Sequence, residues 1–159
     1  MTIIGIDNGV SGGLASLTED GDIINRIAMP IQASKRGQEI DVIAVWWWLK
    51  EQGESLGVAI EEPAGSRFPT MATSMSGSFH SLRTILVLKK VTFHRITPQS
   101  WQAKIIPDCA KGMTKPRALA KARELWPKEN FLETEKCKKP HDGIIDALLI
   151  AQYARLHLF

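Results

Sequence analysis

Thr2-Ile3-Ile4-Gly5-Ile6-Asp7 opens the chain as a short β-branched run that stops on a carboxylate. Such residues favour strands, and a compact apolar run of this length reads as a buried one. Asn8, Gly9, Gly12 and Gly13 then predict a turn, Leu14 to Thr18 alternates as a second strand, and Asp20-Gly21 is a hairpin signal. Asp22 to Met29 reads as a third strand, closed by Pro30. The chain therefore begins as an antiparallel meander of three strands.

Further along, Ile31 to Glu39 is polar and reads as a loop, and Asp41 is placed to cap a helix running to about Gln52. Val58 to Glu61 is a fourth strand, again ending on carboxylates, Glu61 and Glu62, before Pro63. Ala64 to Gly77 is rich in Gly, Ser, Thr, Pro and Met and reads as irregular. Ser78 to Lys89 reads as a helix and Val91 to Ile96 as a fifth strand. Thr97-Pro98 and Thr114-Lys115-Pro116 both read as helix starts led by threonine, the second helix reaching about Trp126. A charged connector, Lys128 to Lys139, leads to a closing helix from His141 to Leu158. A meander followed by βα units predicts an α/β fold with a five-stranded mixed sheet flanked by helices. No repeat, low-complexity tract or linker divides residues 1–159, so one domain is expected.

The composition, 44% apolar and 23% charged, is that of a globular protein able to bury a core without staples. No apolar run is long enough to span a bilayer, and Met1 to Asp7 shows no basic stretch leading into an apolar one, so neither a membrane span nor a signal peptide is expected. Cys109 and Cys137 lack metal-site spacing and fit a reducing, cytoplasmic setting. The net charge of +3 hints only weakly at a polyanionic partner. The basic residues gather between Lys104 and Lys139, either as a solvated face or as a phosphate-facing surface.

The acids carry the chemistry. Asp7 and Glu61 each end an apolar strand, and Asp142 and Asp146 stand four apart on the closing helix, on one face. Asp146 runs straight into Ala147-Leu148-Leu149-Ile150-Ala151, which puts it near the packed side of that helix. Like charges held in a partly dry place repel and lose hydration, so such a cluster calls for a compensating cation. Hard divalent ions take oxygen ligands, and magnesium binds through a few carboxylates together with water and phosphate. Two such ions can activate water and stabilise a leaving alkoxide, which is a route to phosphodiester hydrolysis.

Three segments together resemble the acidic motifs of RuvC-type Holliday junction resolvases, the phage type most of all. They are Ile4-Gly5-Ile6-Asp7-Asn8-Gly9, Val58-Ala59-Ile60-Glu61-Glu62-Pro63, and His141-Asp142-Gly143-Ile144-Ile145-Asp146-Ala147-Leu148-Leu149-Ile150-Ala151. The resemblance spans nearly the whole chain. It implies a ribonuclease H-like fold, two magnesium or manganese ions per active site, a homodimer, and paired symmetric nicks in a four-way DNA junction. By this resemblance Asp7, Glu61 and Asp146 are catalytic metal ligands, Glu61 matching better than Glu62 because it follows Val-Ala-Ile directly. The spacing usual in the bacterial enzymes selects position 143, here Gly143 without a side chain. Asp142 is the natural substitute and His141 the runner-up, its alternative role being that of a helix-start residue after Pro140.

Arg67 and Phe68 follow the Glu61 strand, so they are expected to overhang the metal site. Arg67 is a candidate for a phosphate, and Phe68 either stacks on an opened base or plugs its loop into the core. Lys111, Lys115 and Arg117 are candidate phosphate contacts. Trp46, Trp47 and Trp48 cannot share one helix face, and two of them are expected as core or interface anchors. The dimer interface is assigned either to the helix starting near Asp41 or to the one starting near Ser78. A rival likeness, Asp7-Asn8-Gly9 with Gly12-Gly13 to the phosphate loop of actin-like ATPases and sugar kinases, needs two copies of the fold, and no repeat exists, so no nucleotide cofactor is expected. Two other readings stay open: a ribonuclease H-like nuclease of ribosomal RNA maturation, and a non-catalytic nucleic-acid-binding module of the same fold. The resemblance implies a cytoplasmic protein, in a host cell's cytoplasm if it is phage-encoded.

Overall fold

The computed structural model describes residues 1–35, 37–63, 69–107, 110 and 112–159, with the backbone alone for 69–74. Five strands, β1 (Thr2–Asp7), β2 (Gly13–Leu17), β3 (Ile23–Ala28), β6 (Leu56–Glu61) and β7 (Thr92–Ile96), form one sheet in the order β3-β2-β1-β6-β7. β1 pairs antiparallel with β2 and β2 with β3, while β1–β6 and β6–β7 are parallel. This is the mixed sheet expected from the meander and the βα units, with β1 at its centre.

Strand periodicity sorts the side chains onto two faces. Ile4 and Ile6 of β1 and Val58 and Ile60 of β6 are buried against Val45, Trp48 and Leu49 of α1 (Val42–Glu51) and Phe79, Leu82 and Leu86 of α2 (Pro69–Leu88). Ile3 of β1 and Ala59 of β6 point the other way. They meet Trp101 and Ile105 of α3 (Pro98–Ile105), Ala118 and Ala122 of α4 (Thr114–Leu125), and the apolar face of α5 (Asp142–His157). Asp7 and Glu61 fall in the same alternation as Ile3 and Ala59, so the pleat sends both carboxylates to the α5 side.

Helix α5 lies directly on β1 because Gly5 leaves room for it. A Cβ on Gly5 would sit 2.1 Å from the Ala147 carbonyl oxygen and 2.4 Å from the Ala151 nitrogen. At the start of α5, a Cβ on Gly143 would come within 2.4 Å of Gly12 and Ser11 backbone atoms, and one on Gly13 within 2.5 Å of the Gly143 oxygen. Main chain packs on main chain at both places, which draws the start of α5 to the β1–β2 turn.

The strap before α5 is anchored by Arg26 of β3. Its guanidinium donates to Glu129 Oε2 at 2.7 Å, to the Leu132 carbonyl at 3.0 Å and to Asn130 Oδ1 at 3.2 Å. Phe131, buried in that strap at φ 56°, accepts the His141 N–H on its carbonyl at 2.8 Å. A bulky residue in the left-handed region is held there by its surroundings.

Three local expectations are corrected. Residues Ile31–Ser34 and Gly37–Ile40, read as a loop, form a two-stranded antiparallel sheet, β4 and β5. Apart from Ser34 and the buried Ile40 its residues are exposed, so burial leaves no apolar alternation in the sequence to read. Helix α2 begins at Pro69 rather than near Ser78. Its Gly, Ser and Thr content hides it, although proline is a favoured first helical residue. Thr114 is the first residue of α4 rather than its cap, and Met113 in the cap position makes no side-chain hydrogen bond. The other caps are as expected: Asp41 accepts from the Ile43 and Ala44 N–H groups, and Thr97 from Ser100. Of the tryptophans, Trp48 is buried, Trp46 packs partly against the same core, and Trp47 is 54% exposed with Lys50 over its ring. Among the described residues no helix is long and apolar enough to cross a membrane.

Candidate active site

The sheet and α5 bring acids from three parts of the chain to one edge. Ile6 of β1 stands beside Ile60 of β6, so Asp7 and Glu61 are the next residues on adjacent strand ends. Asp146 precedes Ala147, whose carbonyl rests on Gly5, two residues before Asp7. Asp142 is one turn earlier on the same helix. Asp7, Ser11, Lys115, Pro140, His141, Asp142, Gly143 and Asp146 line a common cleft of about 420 Å³.

The electrostatics show that the acids interact. Burial, followed by the charges of Asp146 and Glu61, raises Asp7 well above the ordinary aspartate value. Asp146 is pushed up to about 7, first by burial and then by the charges of Glu61 and Asp142. Burial raises Glu61 too, opposed by a 2.6 Å hydrogen bond from the Trp101 indole N–H. Trp101 is fully buried in α3, so it fixes the orientation of the Glu61 carboxylate from behind.

A positive charge already faces this cluster. Lys115 Nζ donates to Asp142 Oδ2 at 2.6 Å. That hydrogen bond and the Asp142 charge hold Lys115 above the ordinary lysine value, and Lys115 in turn lowers Asp7 and Asp146. The carboxylates thus form an all-oxygen donor set that fits a hard divalent cation, with an ammonium group standing partly in its place. As the side chains stand, no three His, Cys, Asp or Glu among the described residues are gathered closely enough to enclose an ion.

Glu62 belongs to the opposite alternation and pairs with Arg95 at 3.3 Å. His141 lines the cleft, and its Nδ1 accepts the Ile144 N–H at 3.3 Å, capping α5 as a helix-start residue. Gly143 is closed to any side chain by the Gly12 and Ser11 backbone. Arg117 donates to the Pro107 carbonyl at 3.3 Å. Arg67, Phe68 and Lys111 lie outside the described residues. Two contributors were not foreseen. Trp101 carries no sequence signal beyond its place on an amphipathic helix. Asn8, read as a turn former, is buried; its Nδ2 donates to the Met75 carbonyl at 3.1 Å, and its Oδ1 has no hydrogen-bond partner among the described residues.

No protein-family model matches the chain, and no curated protein sequence does. Solved structures do. One is Thermus thermophilus RuvC in complex with Holliday junction substrate, with a TM-score of 0.62 at 18% identity over 99% of this chain and 97% of that one. A second Thermus thermophilus RuvC structure has a TM-score of 0.62 at 18% identity over 98% and 96% of the two chains. The likeness is one of fold: the chain has the ribonuclease H-like, RuvC-like architecture from end to end.

Proposed function

We propose that the chain is a divalent-metal-dependent endonuclease that resolves four-way DNA junctions by paired symmetric nicks, acting as a homodimer. The observation that carries this reading is the convergence of Asp7, Glu61 and Asp146 at one sheet edge with Asp142 beside them, each raised acid destabilised by burial and most of them by one another. An acid cluster of this kind is relieved by cations and has no evident structural use. The RuvC-like fold over the full chain favours branched DNA as the substrate.

In this reading Asp7, Glu61, Asp142 and Asp146 hold two magnesium or manganese ions, which when bound supply water activation and charge stabilisation. The protein's own part is orientation. Trp101 aims Glu61, and the Gly5 and Gly143 contacts fix α5 over β1. Lys115, Lys111, Arg117 and Arg67 supply phosphate contacts, and Phe68 meets an opened base. A two-fold dimer matches a two-fold junction. The exposed Ile43 and Trp47 on α1, together with Val87 and Leu88 on α2, supply apolar area for it.

The test is incubation with labelled four-way junction, linear duplex and RNA–DNA hybrid, with and without magnesium. Symmetric, magnesium-dependent nicking of the junction alone is the expected result. Preferential cleavage of RNA would move the reading to an RNA-processing nuclease. Binding without cleavage of any substrate would leave a nucleic-acid-binding module.

A further inference from the structure

The contact between Lys115 and Asp142 makes little sense as a stabilising device. The two side chains are 74% and 52% exposed, and exposed ion pairs contribute little to folding. Its position is the informative part. The ammonium lies in the same cleft as Asp7 and Asp146. Lys115 is the second residue of α4, so a flexible four-carbon stem carries a point charge at the mouth of the cleft.

We infer that Lys115 is an exchangeable counter-ion that couples metal binding to DNA binding: it neutralises Asp142 in the metal-free protein and is released to a DNA phosphate when a divalent cation takes that carboxylate. The inference rests on the nuclease reading of the site. It follows from the geometry of this contact. Asp142 Oδ2 accepts from Lys115 at 2.6 Å, so an ion bound through that oxygen must displace or repel the ammonium. Once displaced, the ammonium stands at the rim of an anionic cleft where a phosphate would enter, and it has lost its partner. The exchange works in both directions, as any linkage must. A phosphate that draws Lys115 away uncovers Asp142 for the metal, and a metal that takes Asp142 frees Lys115 for the phosphate. Metal-free protein would thereby keep its acids partly neutralised, and assembly of the loaded site would be favoured only when both partners are present.

The test uses the full chain and its Lys115→Met and Lys115→Arg variants. Magnesium affinity is measured first without DNA, by calorimetric titration and by metal-dependent melting. Anisotropy then follows binding of a four-way junction with phosphorothioate linkages at its centre, with EDTA or with magnesium. Lys115→Met is expected to bind magnesium roughly three- to ten-fold more tightly than the parent in the absence of DNA, by removal of a competing and repelling charge. Lys115→Arg keeps the charge and is expected to bind magnesium no more tightly than the parent. The tightening of junction binding by magnesium is expected to shrink in Lys115→Met. Equal or weaker magnesium binding by Lys115→Met would overturn the exchange and leave the nuclease reading standing. Absence of magnesium binding by both parent and variant would overturn the metal site itself, and the exchange with it.

Discussion

Replacing Asp146 by asparagine is expected to make the metal-free protein more stable at alkaline pH. Asp146 is pushed from an ordinary 3.8 up to about 7, by burial first and by the charges of Glu61 and Asp142 after it. A carboxyl raised in this way holds its proton more tightly in the folded chain than in the unfolded one. Between those two values the folded state binds more protons, so stability falls as the pH rises through the window. At about 1.4 kcal/mol per pH unit, the span from 3.8 to about 7 sets a ceiling of about 4 kcal/mol. Solvent reaches part of the side chain and screens part of the repulsion, so about 1–3 kcal/mol is the working figure. Asparagine keeps the shape and removes the ionisation. At about pH 8 in EDTA, Asp146→Asn should therefore melt about 3–10 °C above the parent. The gap should narrow as the pH is lowered through this window and close below 3.8, where both states of the parent hold the proton. Magnesium should reverse the order, since it stabilises only the protein that binds it well. Circular dichroism melts across that pH range, with EDTA and with magnesium, read all of this. A variant that melts below the parent at about pH 8 without metal, or a gap that does not vary with pH, would refute the electrostatic account of the cluster.

Asp7→Asn should abolish junction cleavage while leaving junction binding within a few-fold of the parent, as gel-shift and nicking assays run in parallel would show. Trp101→Phe removes the hydrogen bond that holds Glu61 down. Glu61 should then hold its proton more tightly, and magnesium affinity in calorimetric titration should fall, most at low pH. Gly143→Ala places a methyl group within 2.4 Å of the Gly12 backbone and should cost roughly 1–3 kcal/mol in urea unfolding, with activity falling further than stability because α5 carries two of the acids.

The elements that build the site are those most legible in the sequence, for one physical reason. β1, β6 and α5 are buried, so their apolar pattern is strong, and a carboxylate set against such a pattern stands out. The β4–β5 hairpin and the first turns of α2 lack that contrast. Their residues are polar or small, and the hairpin forms from strand pairing rather than from burial. Lys115 shows a different limit. Its charge and its place before Pro116 suggest a phosphate contact, but the Asp142 carboxylate it meets lies 27 residues away along the chain. Contacts across such distances, like that of Trp101 with Glu61, depend on how α3 and α4 pack, and no local spacing encodes that.

The glycine contacts between β1, the β1–β2 turn and α5 act as a mechanical key. A helix resting on side chains can glide by an ångström as those side chains re-pack. One seated main chain to main chain at Gly5, Gly13 and Gly143 meets a hard stop in either direction. The gap between an acid on the strand and an acid on the helix is thereby gauged by backbone alone, and residues with no chemistry of their own set the calibration of the chemistry.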